Sequence, residues 1–171
     1  MTQAAITGSK VFSVAGGGGL AYSGARVYAT ATQNFGTGTG QVTSFDTFNE
    51  TGDAWDIGGY CDNTNKQFVA PATGKYRIGW WLEYIISYTT DQYGYVDAKL
   101  GGTWAAHENG DKGWARVNPG AIASPNAPIY TASRNAQYWL NSGDTVFVQI
   151  TGNYTGGVTV QGAVFEIERM A

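Results

Sequence analysis

Few side chains in this sequence could carry out catalysis, and their spacing does not favour it. The one histidine, His107, lies in a polar segment beside Glu108, and no G-x-S-x-G turn supplies the nucleophile of a Ser-His-Asp triad. A zinc site needs several His, Cys or carboxylate ligands, and the single His and single Cys are far apart in the chain. We therefore expect His107 to be an exposed loop residue. We expect Cys61 to be a small buried apolar residue rather than a reactive thiol.

Paired carboxylates are the remaining catalytic pattern, because a glycosidase needs two of them about 5 to 9.5 Å apart. The candidates are Asp53, Asp56 and Asp62, and Glu83 with Asp97. Glu83 lies in the most apolar run of the chain, where a carboxylate must be paired, hydrogen-bonded or neutral. We favour a structural partner (Arg77, Lys99 or a Tyr hydroxyl at a subunit contact) over catalysis. The sequence thus predicts no catalytic residue, no metal ligand and no cofactor.

The composition indicates which elements position these groups. Of 171 residues, 13% are charged, 14% are aromatic and 25 are glycine, which excludes a disordered chain. Aromatic residues, Thr and Gly together favour strands joined by tight turns. The net charge is −3 and the basic residues are scattered, so nothing indicates a nucleic-acid partner. The longest charge-free segment, 145–165, is interrupted by polar residues and glycine, so we expect no membrane span.

From residue 25 onward the pattern is that of β-strands, and no stretch sustains a helical period. Residues 76–88 (YRIGWWLEYIISY) are apolar along their length, which is typical of a central strand. The alternating strands are predicted at 26–32, 41–48, 95–100, 136–140, 145–150 and 158–168, with a short strand at 67–70 and a long loop at 101–128. These signals predict one all-β domain over residues 25–171, a jelly-roll sandwich of about ten strands.

Residues 1–24 differ from the rest, with one charge and a run of glycines at 16–19. The glycine run lacks the Lys-Ser/Thr of a phosphate loop. A short alternating piece carries Val11, Phe12 and Val14. We interpret this segment as an extended N-terminal arm on a flexible hinge that docks on a larger assembly. The alternative is a disordered tail.

Four motifs occur in order along the chain: VTSFD at 42–46, NTNKQFVAP at 63–71 with GKY at 74–76, LNSGDTVFV at 140–148, and Phe165 near Gly162. Together they resemble the globular head of the C1q/TNF superfamily over roughly residues 25–170. The chain departs from the family pattern at Thr64-Asn65, where Thr-Gly is usual, and at Gly162, which precedes the aromatic residue. The resemblance implies the jelly-roll fold and trimeric assembly. Stalkless members resemble structural proteins of bacteriophages, or bacterial surface proteins.

Apolar surface beyond the needs of one sandwich indicates contacts between subunits. On a strand, Trp80, Leu82 and Tyr84 share one face, and Trp81 and Glu83 share the other. One face can serve the core and the other the centre of the trimer. The residues expected at the trimer interface are Tyr76, Ile78, Trp80, Trp81, Glu83, Tyr84 and Phe165.

Aromatic side chains in or beside the long loop form a candidate ligand site. They are Trp104, Trp114 and Tyr130, together with His107. Loop aromatics often form sugar- or partner-binding surfaces, and they equally often clamp a loop onto the domain. Both alternatives stay open at this stage.

These inferences predict a non-enzymatic virion structural protein. We expect a homotrimeric capsid decoration (cement) protein of a bacteriophage, attached through its N-terminal arm to the major capsid protein or another virion protein. Because the N-terminus lacks a basic leader and an apolar core, we expect synthesis in the host cytoplasm and a place on the capsid exterior. The alternative is the receptor-binding head of a phage tail fibre or a bacterial surface adhesin, with a host-surface glycan as ligand. A hydrolase of cell-wall polysaccharide ranks last.

Overall fold

Alternation of apolar and polar residues makes most of the described chain β-strand. The structure is a computed structural model, and it describes residues 23–29, 31–45, 55–86, 95–106, 115–117, 129–152 and 157–170. The described residues include no helix long and apolar enough to cross a membrane. Several residues singled out in the sequence lie outside the described ones: Val11, Phe12, Val14, Asp53, His107 and Trp114.

The described residues form twelve strands and one 3₁₀ turn at Thr103–Ala106. The strands are β1 (Gly24–Tyr28), β2 (Gln33–Phe35), β3 (Gly38–Gln41), β4 (Trp55–Ile57), β5 (Cys61–Asp62), β6 (Gln67–Val69), β7 (Gly74–Ile86), β8 (Val96–Gly101), β9 (Ala115–Val117), β10 (Ile129–Leu140), β11 (Thr145–Gly152) and β12 (Val158–Arg169).

These strands build two antiparallel sheets. The first sheet has the order β10-β7-β12-β1-β4, and β2 also pairs with β12. The second sheet has the order β5-β6-β11-β8-β9, and β3 also pairs with β11. Strands that are neighbours in a sheet are rarely neighbours in sequence, as a jelly-roll requires. The predicted all-β sandwich is confirmed, and β7 is a central strand, paired with β10 on one side and β12 on the other.

The core lies between the inward faces of the two sheets. Because side chains alternate along a strand, every second residue of β7 and β11 points inward, and β12 does the same with one register shift between Val160 and Gly162. Phe165 stacks on Phe68 of the second sheet with ring centroids 4.2 Å apart, which joins the sheets at mid-height. Burial of one such side chain contributes about 1.5–3 kcal/mol. Among the most buried side chains are Tyr76, Ile78, Leu82, Tyr84, Ile86, Leu100, Val146, Val148, Ile150 and Ile167.

One end of the sandwich, which we call the terminal end, holds both ends of the described chain. The backbone N–H of Arg169 donates to the carbonyl of Ser23 (2.9 Å), and that of Met170 donates to the carbonyl of Lys75 (2.8 Å). The turn from β10 to β11 lies there too, and Gly143 in it has φ 86°. This turn leads from the first sheet to the second, so the two strands that it joins are not paired as a hairpin. The residues before Ser23 therefore join the domain at this end.

Candidate functional site

The outward face of the first sheet is the candidate site. Register places the alternate residues of four strands side by side on this face, because directly opposed residues point the same way. The face consists of Arg26 and Tyr28 from β1, Lys75, Arg77, Gly79, Trp81, Glu83 and Ile85 from β7, Thr131, Ser133, Asn135, Gln137 and Trp139 from β10, and Gly162, Val164, Glu166 and Glu168 from β12.

Two ion pairs of this face form within one chain. Arg77 and Glu168 form an ion pair at 2.5 Å across β7 and β12. Arg26 lies 4.0 Å from Glu166, and its guanidinium lies over the ring of Tyr28 at 5.4 Å from the centroid. These side chains are partly exposed, so each pair contributes at most about 1 kcal/mol. Their main effect is to order the surface.

A cleft of about 600 Å³ opens in the middle of this face. Its floor is Gly79, because glycine has no side chain to fill this space. A Cβ at this position would lie only 2.7 Å from a carboxylate oxygen of Glu166. Trp81 forms one wall, and its ring passes over Gly162, where a Cβ would approach it to 3.3 Å. We call this feature the Gly79 cleft; it is lined by Arg26, Gly79, Trp80, Trp81, Ser133, Arg134, Asn135, Val164 and Glu166.

Most residues expected at the trimer interface lie in the core of the single chain. The correction concerns Tyr76, Ile78, Trp80, Tyr84 and Phe165, each with at most 3% of its surface exposed. The physical reason is the two-residue period of a strand, which turns all of them toward the second sheet. Trp81 and Glu83 lie on the outward face, as the alternation predicts, and both are half-buried. The interface prediction therefore narrows to these two residues.

Of the partners expected for Glu83, neither Arg77 nor Lys99 lies beside it among the described residues, and a Tyr hydroxyl at a subunit contact stays a prediction. The register neighbours of Glu83 are Thr131 and Gly162. Arg77 pairs instead with Glu168, and Lys99 belongs to the second sheet. Because Glu83 is on the outward face rather than in the core, its carboxylate needs no partner within the single chain.

The candidate ligand loop is not assembled as a binding surface by the described residues. Trp104 is fully buried, donates its indole N–H to the carbonyl of Gly101 (3.1 Å), and packs on Tyr138 with centroids 4.9 Å apart. It clamps the 3₁₀ turn onto the core, so its assignment to a ligand site is wrong. Tyr130 is half-buried and stacks on Tyr84 at 5.9 Å, on the inward side of β10.

The candidate catalytic carboxylates are engaged in structural hydrogen bonds. Asp56 accepts the backbone N–H groups of Tyr60 and Cys61, at 2.9 and 3.1 Å. Asp62 closes its own turn, where hydrogen bonds from Asn65 and other donors lower the pKa of its carboxyl. Asp97 is buried and accepts two hydrogen bonds from Arg116 at 2.6 and 2.7 Å.

Neither a metal site nor a reactive thiol is formed by the described residues. None of their His, Cys, Asp and Glu side chains gather in groups of three or more that could hold a metal ion. Glu83 and Asp97 lie on different sheets and do not form a catalytic pair. Burial raises the pKa of the Cys61 thiol, which keeps it protonated and unreactive.

Sequence reasoning missed the Gly79 cleft and Trp139. The cleft depends on β1 pairing with β12, two strands from opposite ends of the chain, and no local pattern reports that pairing. Trp139 carried a usable signal, since it alternates with the inward-facing Tyr138 and Leu140 in the predicted strand.

Comparison with known proteins defines the fold class. No protein-family model matches the sequence, and no curated protein matches it. Among solved structures, Eiger TNF from S. frugiperda superposes with a TM-score of 0.62 at 11% identity, over 88% of this chain and 93% of that one. The chain therefore has a jelly-roll fold of the TNF/C1q type. At this identity the likeness shows the fold alone.

Proposed function

We propose that this chain is a non-enzymatic structural protein that assembles as a homotrimer through the outward face of its first sheet and decorates a bacteriophage capsid. The observation that carries the proposal is that this face, although many of its residues are polar, carries the two large apolar side chains that are most exposed among the described residues. Trp139 is 56% exposed and Ile129, at the start of the same strand β10, is 60% exposed. Ile85 lies opposite Ile129, and Trp81 and Val164 lie further along the face toward Trp139; all three are half-buried. Exposed apolar area of this kind marks contact surfaces in soluble proteins.

The outward face of the second sheet offers a control within the same molecule. It presents Gln41, Lys99 and Gln149 side by side, and the hydroxyls of Thr39 and Thr151 are 2.7 Å apart. These polar groups are suited to water. The contrast between the two faces supports a partner on the first sheet only.

The ion pairs of the first sheet also favour burial by a second copy. A charge that is covered without a partner costs several kcal/mol, whereas a charge already paired costs less. Arg77 with Glu168 meets this condition before any partner binds. A second copy can therefore cover the face without leaving a charge unpaired at this position.

Attachment to a capsid is supported by the position of the terminal end. The N-terminal arm joins the domain at Ser23, beside the last described residue, Met170. Arms of the copies in one trimer would then leave from the same end, and their contacts would form at high effective concentration. The opposite end of the trimer would point away from the particle.

Immuno-electron microscopy of particles from producing cells tests the virion role. We expect label over the whole capsid surface, and we expect a chain lacking residues 1–20 to remain trimeric but fail to bind particles. Label at a tail tip would support the receptor-binding alternative instead. Particles without label would contradict a virion role altogether.

A further inference from the structure

Trp139 is an aromatic side chain that the described residues leave more than half exposed. It lies near the end of β10, on the same face as the Gly79 cleft, and 56% of its surface is exposed. Among the described residues, no hydrogen bond, ion pair or ring contact holds it. Burial of a large apolar side chain stabilises by about 1.5–3 kcal/mol, and an indole that stays in water lacks this free energy. Such a residue on a strand is typical of a contact with another molecule.

The Gly79 cleft has the chemistry that an indole ring needs. Trp81 provides an aromatic wall against which a second ring can stack. The carboxylate of Glu166 is an acceptor for the single indole N–H donor. The guanidinium of Arg26 can lie over a ring face, and its Nε is buried without a hydrogen-bond partner.

Trp139 cannot fill the cleft of its own chain. It is four residues from Asn135 on the same strand, which separates the two by about 13 Å along β10. Both residues lie on the same face of one strand that is paired along its whole length, which holds them at this separation. An indole that fills the cleft would therefore come from another copy.

We propose that Trp139 of one copy inserts into the Gly79 cleft of the next copy. The proposal rests on the trimer of the proposed function and adds its specific contact. Because the inserting residue and the cleft are different parts of the surface, each copy gives one tryptophan and receives one. With the threefold rotation of the proposed trimer, three such contacts close into a ring.

Two variants separate the inserting residue from the cleft. Trp139→Ala removes the indole and leaves the cleft intact. Asn135→Phe places an aromatic ring at the mouth of the cleft and leaves Trp139 intact. The substituted positions, 135 and 139, are both exposed, and phenylalanine is common in strands, so we expect both variants to fold. Gln149→Ala, on the outward face of the second sheet, is the matched control. Circular dichroism and thermal melting check that every variant is folded.

Sedimentation equilibrium at micromolar concentrations is the measurement. We expect the wild-type chain and Gln149→Ala to be trimers, and each of the two test variants alone to associate at least tenfold more weakly. When the two test variants are mixed in equal amounts, Asn135→Phe supplies an intact Trp139 and Trp139→Ala supplies an intact cleft. We therefore expect the mixture to form a dimer of unlike copies, and no trimer.

The outcomes distinguish this contact from the trimer itself. If Trp139→Ala forms a trimer as tight as the wild type, the contact is wrong while the trimer stands. If the mixture shows no more association than either variant alone, the head-to-tail arrangement is wrong. If the wild-type chain is itself a monomer, both the contact and the proposed function fail.

Discussion

Substitution of Gly102 tests the packing of β8 against β11 most sharply. Gly102 follows β8 with φ 128°, a conformation that side chains with a Cβ rarely adopt. An ideal Cβ at this position would overlap the carbonyl oxygen of Thr145 and lie 3.1 Å from the Cα of Val146. Both obstacles are backbone, so neither can rotate away. Gly102→Ala must therefore displace the start of β11.

The expected loss of stability follows from two separate costs. Backbone strain at a positive φ costs about 1–3 kcal/mol. Overlap with a packed neighbour adds about 1–3 kcal/mol. At about 2–4 °C per kcal/mol for a domain of this size, Gly102→Ala should lower the melting temperature by roughly 10 °C.

Two matched glycine variants separate the two costs. Gly143 has φ 86° but open space around its Cβ position, so Gly143→Ala should show strain alone, about 1–2 kcal/mol. Gly36 has open space and no positive φ, so Gly36→Ala should change stability by less than about 0.5 kcal/mol. Melting is followed by circular dichroism at one protein concentration. If Gly102→Ala melts no lower than Gly143→Ala, the close approach of β8 to β11 is refuted.

Three further outcomes are expected. Arg116→Ala should lower the melting temperature more than Asp97→Asn, because it leaves the buried carboxylate of Asp97 without its cation. The double variant should melt higher than Arg116→Ala alone. Equal losses for the two single variants that add in the double variant would contradict this. Cys61 should resist a thiol reagent at pH 8 in the folded protein and react on unfolding; equal rates would show that it is accessible. Burial raises the pKa of Cys61 and of Tyr60 above the values that these groups have in the unfolded chain, so the unfolded chain loses their protons first as pH rises. The melting temperature should therefore fall as pH rises above about 9, where an unfolded cysteine begins to ionise. A melting temperature that stays constant from pH 8 to 11 would contradict the burial.

Local patterns predicted the strands that carry the core. The alternation that separates Trp80 from Trp81 has a two-residue period, which any strand imposes whatever its neighbours. The turn at Gly143 was predicted for the same reason, since its turn residues act locally, but the hairpin expected there is wrong because β10 and β11 lie in different sheets. The class of fold followed from these signals together with the resemblance to the C1q/TNF head, and the structure confirms it.

Features that depend on distant pairing could not be predicted. β2 and β3 are short and rich in polar residues or glycine, and they exist because they pair with β12 and β11. β10 begins at Ile129 rather than at 136, because pairing with β7 extends it through polar residues. β9 lies inside the segment expected to be a loop, and among the described strands it pairs with β8.

Burial also depends on the whole fold. The sequence indicated that two faces of β7 have different roles, but it assigned Tyr76, Trp80 and Phe165 to the subunit interface although they are core residues. Which face meets the second sheet is decided by tertiary packing. In the same way, the sequence left open whether Trp104 binds a ligand or clamps its loop, and the fold buries it.

The mass of the full chain in solution tests the central claim most directly. Sedimentation equilibrium at micromolar concentration should give about 55 kDa, three times the 18.2 kDa chain. Trp81→Glu, which places a charge at the middle of the outward face, should give folded monomers, while Gln149→Glu on the second sheet should leave the trimer unchanged. A wild-type mass near 18.2 kDa, or a Trp81→Glu variant that remains a trimer as tight as the wild type, would contradict assembly through this face.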